Sequence, residues 1–201
     1  VLSRAILDHI SSGQANVTER AQLLKEQALL AKSLELATAT LVGLISAYTT
    51  ETDEKVWGML SGVIGDLKRF VDPNTPAEAA LKSIARKLAM PMYKKLGWDA
   101  QPNESEDDTM LRSTIIGTML YGDPAVRAEA RKRYAEQPLN QMDSELRGLI
   151  LIAEVRHGDT VAAIDNLLDQ YKASSSVDIK NSICDGVTAT DNAVQIERLI
   201  A

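Results

Sequence analysis

Apolar residues in this chain recur at steps of three and four, the spacing that places side chains on one face of an α-helix. One such face is formed by Val56, Leu60, Val63, Leu67 and Phe70. A second periodic run follows Thr75, a good N-cap residue, and Pro76, which suits a first helical turn. Gly97 then closes that run as a C-terminal signal. The pattern predicts two amphipathic helices here.

The rest of the chain follows the same periodicity, and convincing strand alternation is absent from the sequence. Buried helices are also favoured over strands for the two most apolar segments, Ser113–Leu120 and Leu149–Val155, because each runs into a capping turn. We therefore predict an all-α protein with about eleven helices. Besides the two above, the helices are predicted over 2–12, 18–32, 34–49, 109–121, 124–136, 142–157, 160–172, 177–188 and 192–201.

Three aspartates in the second half, Asp123, Asp159 and Asp191, each precede an apolar-periodic run and are predicted N-caps. They are 36 and 32 residues apart, the length of one helix pair in repeat proteins. Ordinary helices could reach this spacing by coincidence. We nevertheless predict one domain over 1–201, built as antiparallel helix pairs stacked in a HEAT/armadillo-like α-solenoid superhelix. Its main internal loop is the polar segment 97–108.

The 45% hydrophobic content of the 201 residues can supply a buried core. A net charge of −6 and a pI near 5.0 argue against a nucleic-acid partner. Neither a membrane span nor a secretion signal is evident, so we expect a cytoplasmic protein. The chain starts at Val1 without Met and ends within an amphipathic run, which we interpret as a piece cut from a longer protein.

The sequence offers little catalytic chemistry. Its two histidines, His9 and His157, have no partner at metal-ligand spacing, and the H-E-x-x-H and C-x-x-C motifs are missing. His157 is interpreted as a cation at a helix C-terminus, and Cys184 as a small buried apolar residue. Gly58, Gly62 and Gly65 recur along one helix, for which we expect close approach of a neighbouring helix. We predict no catalytic residue and no metal ligand in this chain.

Five phrases stand in an order that resembles the helical C-terminal domain of the aminopeptidase N family of zinc metallopeptidases, of bacterial type. They cover nearly the whole chain, although each alone is of limited specificity. The phrases are ERAQLLKEQALLAKS at 19–33, EKVWGMLSGVIGDL at 54–67, ARKLAMPMYKKLGW at 85–98, DDTMLRSTIIGTMLYGDPAVRAEARKRY at 107–134 and LLDQYKASSSVDIKNSICDGVTATDN at 167–192.

The resemblance implies a parent enzyme that uses zinc to remove N-terminal residues from peptides, with the zinc ligands outside this chain. This domain would pack on the catalytic domain of the same polypeptide and close or line the substrate chamber. Arg20 matches the Arg of the family's Asn-Arg-Ala-Gln-Leu pattern, although Glu19 replaces the Asn and Lys25 stands where an acid is common. Trp57 and Arg112 also match family positions. The three residues are candidates for the chamber or the domain interface, and the array is expected to continue beyond Ala201.

Other interpretations stay open on the residues alone. Trp57 could be an ordinary core tryptophan and Arg112 an interhelical ion-pairing residue. The whole chain could also be a free-standing helical-repeat scaffold that recruits a protein partner. A third hypothesis, an all-helical ligand-responsive regulator, is disfavoured because a basic recognition helix is missing.

Overall fold

A computed structural model describes residues 4–201, which contain eleven α-helices, one short 3-10 helix and no strand. The predicted all-α class is confirmed. Of the first predicted helix, residues 2 and 3 lie outside the described residues. The α-helices are α1 Arg4–Ser11, α2 Val17–Lys32, α3 Thr38–Ile45, α4 Glu54–Lys68, α5 Pro76–Leu96, α6 Glu106–Gly122, α7 Pro124–Glu136, α8 Ser144–His157, α9 Thr160–Ala173, α10 Val177–Val187 and α11 Ala193–Ile200, and the 3-10 helix is Leu139–Gln141.

Short polar side chains begin most of these helices by accepting the first backbone N–H groups. Asn16 forms a capping box with Glu19 at the start of α2, so the Asn16 amide has a structural role. Asp123 accepts from the N–H of Ala125 at the start of α7, and Asp159 caps α9. These two aspartates lie where the sequence places them.

The third predicted cap is wrong by one residue. Asn192 caps α11 by accepting from the N–H groups of Val194 and Gln195, whereas Asp191 lies before the cap. An Asn side chain caps as well as an Asp side chain, so the sequence Asp191-Asn192 offers two equivalent candidates. The local backbone selects between them.

Helix α3 is shorter than the predicted 34–49. Leu34 has a positive φ of 64°, and the N–H groups of Glu35 and Leu36 both bond to the Leu30 carbonyl, which ends α2. This turn occupies the residues that the apolar pattern assigned to a helix. The helix resumes at Thr38, and its N-cap position, Ala37, makes no side-chain cap bond.

The described residues up to Gly122 form one compact unit. Within it α2 packs on α4 and α4 packs on α6, while α3 lies against α2 and α5 lies against both α4 and α6. Helices α2, α4 and α6 therefore pack in succession, each on the next helix but one along the chain. This is the arrangement of an α-solenoid-like stack of helix pairs. Trp57 of α4, with no exposed surface, is among the largest side chains in this core.

The residues from Asp123 to Ala201 form a second compact unit. Here α8 packs on α7, α9 and α10, and α10 also packs on α9. Gly186 permits the close contact of α10 with α8, because a Cβ at that position would lie 2.7 Å from the Cβ of Leu151. This unit repeats the packing of alternate helices seen in the first.

Three expectations about individual positions are wrong. A Cβ at Gly58, Gly62 or Gly65 would meet no atom within 4 Å, so no neighbouring helix approaches α4 there. Cys184 is exposed on α10 rather than buried. Phe70 is 80% exposed, because α4 ends at Lys68 and Phe70 no longer follows the helical face. Periodicity alone could not show where the helix stops or which faces are covered.

Candidate functional site

Arg20 and Trp57 are brought together by Glu51, which lies in the segment between α3 and α4. Arg20 is the fourth residue of α2, and its guanidinium forms a two-pronged ion pair with Glu51. The Nε–Oε2 distance is 2.6 Å and the Nη2–Oε1 distance is 3.0 Å. Trp57, the fourth residue of α4, donates from Nε1 to the Glu51 carbonyl at 3.0 Å. We call Arg20, Glu51, Trp57 and Tyr48 the Arg20 cluster.

Backbone groups hold both members of this ion pair in place. The Glu51 carboxylate accepts the N–H groups of Thr52 and Asp53 at 2.9 and 2.8 Å. Arg20 donates from Nη1 to the Ala15 carbonyl at 2.6 Å. The hydroxyl of Tyr48 in turn donates to the Arg20 carbonyl at 2.9 Å. The cluster therefore fixes the loops before α2 and α4 relative to each other.

The cluster is largely removed from water. The Glu51 side chain is 2% exposed and the Arg20 side chain 16% exposed. The hydrogen bond with Glu51 raises the pKa of the Arg20 guanidinium, and burial raises the pKa of the Tyr48 hydroxyl. Arg20 thus remains a cation and Tyr48 a neutral hydroxyl at physiological pH.

A small pocket of about 190 Å³ opens beside this ion pair. Within the described part of the chain, Arg20 uses three of its five N–H groups in the bonds above, which leaves two donors for a polar group in the pocket. The pocket could therefore hold a small group that accepts hydrogen bonds. It is lined by Ile10, Gly13, Arg20, Tyr48, Thr50, Glu51 and Thr52.

Arg112, the third candidate, has a different set of partners. It lies on α6, its side chain is 3% exposed, and it pairs through Nη2 with the carboxylate of Glu104. Its Nε also donates to the Leu96 carbonyl at the end of α5, at 3.4 Å. The hydrogen bond from Arg112 lowers the pKa of the Glu104 carboxyl. This pair ties the 97–105 loop to the helices on both sides of it.

Sequence reasoning missed a third arginine, Arg147, whose partners are spaced along the chain like those of Arg20, although its carboxylate partner is more exposed. Arg147 too is the fourth residue of its helix, α8, and it donates to the Met142 carbonyl five residues earlier, as Arg20 does to Ala15. It also pairs at 2.6 Å with Asp178, 31 residues later, the separation between Arg20 and Glu51. The sequence signal that could have found Arg147 is an arginine followed 31 residues later by an acidic residue.

The resemblance implies zinc in the parent enzyme, with its ligands outside this chain. Nowhere in 4–201 do three His, Cys, Asp or Glu side chains lie close enough together to hold a metal ion. His9 is exposed and lies 3.3 Å from the Gln14 side-chain oxygen, and His157 lies at the end of α8.

A family model settles what kind of domain this is. The model of the ERAP1-like C-terminal domain matches residues 2–201. The chain belongs to this family. An ERAP1-like C-terminal domain accounts for the helix pairs of both units and for the helical phrases in the sequence.

Curated relatives of this ERAP1-like C-terminal domain are named as aminopeptidases. Aminopeptidase N of Lactococcus lactis subsp. lactis is 28% identical over 193 residues, which is 93% of this chain and 23% of that protein. Aminopeptidase N of Lactobacillus helveticus is 25% identical over 90% of the chain and 22% of that protein. Aminopeptidase 2 of Candida albicans is 27% identical over 84% and 19%.

The chain therefore spans less than a quarter of the length of these relatives. It corresponds to the C-terminal domain of aminopeptidase N-type proteins, and the alternative of a free-standing scaffold gains no support from the relatives. Among the helices of residues 4–201, none is long and apolar enough to cross a membrane.

Proposed function

We propose that this domain is a non-catalytic part of a zinc-dependent aminopeptidase that removes N-terminal residues from peptides. The observation that carries the proposal is the match of 93% of the chain to less than a quarter of an aminopeptidase N. In this proposal catalysis and zinc binding belong to other parts of the polypeptide, where the H-E-x-x-H motif of the parent enzyme would lie. Residues 1–201 form one helical-repeat domain in this proposal. The domain packs on the catalytic domain and closes or lines the chamber that holds the peptide.

Arg20 is the residue that we propose contacts the distal part of a peptide substrate. Its two remaining N–H groups can donate to a peptide carbonyl or carboxylate that enters the pocket. Trp57 is fully buried, so it acts through its bond to the Glu51 carbonyl rather than by touching a peptide. Arg112 of α6 has a structural role, because it holds the 97–105 loop in place.

We also propose that the enzyme works in the cytoplasm. The single cysteine forms no internal disulfide, and its exposed thiol on α10 suits a reducing compartment. We expect neither a nucleic-acid nor a membrane partner, because the net charge is −6 and no described helix suits a bilayer.

The first experiment expresses the complete reading frame that encodes this chain and assays it on leucine p-nitroanilide with and without a zinc chelator. Chelator-sensitive hydrolysis is expected from the complete protein. The 201-residue chain alone should neither hydrolyse the substrate nor retain zinc in metal analysis. Stoichiometric zinc or peptidase activity in the isolated chain would overturn the proposal, as would a complete reading frame without a zinc-peptidase motif.

A second experiment addresses Arg20 in the complete protein. Arg20→Lys keeps the charge but loses the two-pronged geometry, so kcat/KM for a ten-residue peptide should fall about fivefold or more. Hydrolysis of leucine p-nitroanilide, which lacks the distal residues of a peptide, should stay unchanged. Arg147→Lys is the matched control, because it makes the same change at another ion-paired arginine that bonds to a carbonyl five residues earlier, and it should affect neither substrate. Equal losses on both substrates would make Arg20 a structural residue only.

A further inference from the structure

Helix α5 carries a charge opposite to that of the protein. The chain has a net charge of −6, yet α5 contains five basic residues and one acidic residue, Glu78. Two of the lysines are neutralised locally, because Lys82 pairs with Glu78 at 2.8 Å and Lys95 with Asp108 at 3.0 Å. The side chains of Lys87 and Lys94 are exposed and form no ion pair or hydrogen bond with any described residue.

These two lysines lie on the same side of the helix. They are seven residues apart, which places them two turns and about 10 Å from each other. Between them lie Met90 and Pro91, and together these residues border an open groove of about 810 Å³. We call the residues that line this groove the α5 basic face, and they are Ser83, Arg86, Lys87, Met90, Pro91 and Lys94.

The buried side of α5 points the other way. Leu81, Ala85, Leu88 and Met92 are each less than 5% exposed and contribute to the core of the first unit. The side chains of Lys87 and Lys94 therefore lie outside this core, and their charges are available for an external partner.

Pro91 adds a backbone feature to the charge. Proline has no N–H group, so the helical hydrogen bond that the Lys87 carbonyl would accept from residue 91 is missing. A carbonyl without its helical donor can accept a hydrogen bond from another group, and the backbone N–H groups of a polypeptide are one source of such donors.

We propose that the α5 basic face docks an acidic polypeptide segment with carboxylates about 10 Å apart. In an extended polyproline II segment, residues three apart lie on the same side at about 9 Å, which matches the separation of Lys87 and Lys94. Two unpaired lysines are too few to hold a nucleic-acid backbone, which DNA-binding proteins contact at roughly 6–10 phosphates. The face offers a membrane only one large apolar side chain, Met90. The proposal does not depend on the aminopeptidase assignment.

The test measures fluorescence anisotropy of a labelled peptide of four Glu-Ala-Pro repeats titrated with the 201-residue protein at low salt. Its counterpart with Gln in place of Glu is the neutral probe. We expect the acidic peptide to bind about tenfold more tightly than the neutral one and to weaken as salt is added, since exposed ion pairs are screened. Equal binding of the two peptides, or none by either, would overturn the proposal.

Lysine substitutions test whether the acidic peptide binds at the α5 basic face. Lys87→Gln with Lys94→Gln should weaken binding of the acidic peptide about fivefold, because two exposed ion pairs are lost. The matched control is Lys55→Gln with Lys132→Gln, two exposed lysines on other helices whose side chains also form no ion pair or hydrogen bond within residues 4–201. This control should bind within about twofold of the unaltered protein if the effect is local. An equal loss in both double variants would mean binding by overall charge and would contradict the assignment.

Two further probes exclude other occupants. Phosphatidylglycerol vesicles and a single-stranded oligonucleotide are offered to the same protein in sedimentation and anisotropy assays. Neither should bind in a way that depends on Lys87 and Lys94. Retention of the protein on either probe, lost in the Lys87→Gln and Lys94→Gln variant, would identify the face as a lipid or nucleic-acid site instead.

Discussion

At the scale of single residues, buried arginines hold the loops of this protein. Arg20 and Arg147 each join a carbonyl five residues earlier to a carboxylate 31 residues later. A guanidinium has several donors in one plane, so a single side chain can bind two chain segments at once. The same separation in both units indicates a structural repeat, and the observed caps Asp123, Asp159 and Asn192 follow it only approximately, at spacings of 36 and 33 residues.

Removing the charge of Glu51 should destabilise the fold. In Glu51→Gln the mostly buried Arg20 cation loses its anion, which should lower the free energy of unfolding by about 3 kcal/mol. Urea unfolding followed by circular dichroism measures the change. Asp169→Asn is the control, since the Asp169–Lys172 pair is 79% and 76% exposed and should contribute less than about 0.5 kcal/mol. Similar losses in the two variants would contradict the role of burial.

The pair of Glu104 and Arg112 should give the stability a defined pH dependence. Because Arg112 lowers the pKa of Glu104 in the folded state below its ordinary 4.5, the pair stabilises the protein above pH 4.5. This contribution is lost as the pH falls through the lower, folded-state pKa. The difference in unfolding free energy between the unaltered protein and Glu104→Gln should therefore shrink on acidification. Urea titrations over a pH series test this, and a difference that grows on acidification would contradict it.

At the scale of helices, the apolar period and the capping residues were sufficient to place most elements. Asp123-Pro124 and Thr75-Pro76 begin helices where predicted, since both pairs combine an N-cap acceptor with a proline that needs no hydrogen bond. Helix α3 was predicted too long because Leu34, a residue without a turn preference, takes a positive φ. That conformation depends on the hydrogen bonds to the Leu30 carbonyl, which no local sequence pattern predicts.

Hydrogen exchange can distinguish whether Asn192 or Asp191 caps α11. Asn192→Ala removes the acceptor of the Val194 and Gln195 N–H groups, so these amides should exchange about fivefold faster, the equivalent of a 1 kcal/mol cap. Asp191→Ala should leave both rates within about twofold. Exchange measured by NMR or mass spectrometry decides between them. Faster exchange only in the Asp191 variant would restore the prediction made from the sequence.

Two glycines within helices should respond in opposite directions to the same substitution. Gly65→Ala adds a methyl group in open space within α4 and should stabilise the protein by about 1 kcal/mol. Gly186→Ala should destabilise it by about 1–3 kcal/mol, because the new Cβ would meet that of Leu151 at 2.7 Å. Thermal unfolding of both variants provides the comparison. Stabilisation by Gly186→Ala would mean that α10 and α8 can separate at little cost.

At the scale of the whole molecule, net charge governs behaviour in solution. The protein carries −6 at pH 7 and has a pI near 5.0, where self-repulsion vanishes. We therefore expect a solubility minimum near pH 5.0, measured by turbidity. The Glu104–Arg112 pair still holds there, so the precipitate should be folded and redissolve at neutral pH with its helical circular dichroism. Irreversible loss of that signal would contradict the expected stability of the carboxylate pairs.

Taken alone, the sequence determined the helical class, most helix positions, the acidic charge and, through the order of its phrases, the family. These properties depend on residues near one another in the chain or on simple sums over it. Only the tertiary structure decided that Glu51 joins Arg20 to Trp57, that Cys184 is exposed and that Gly186, rather than Gly58, lies at a close helix contact. Such outcomes depend on which distant segments meet, because burial and ion pairing arise between helices rather than within them.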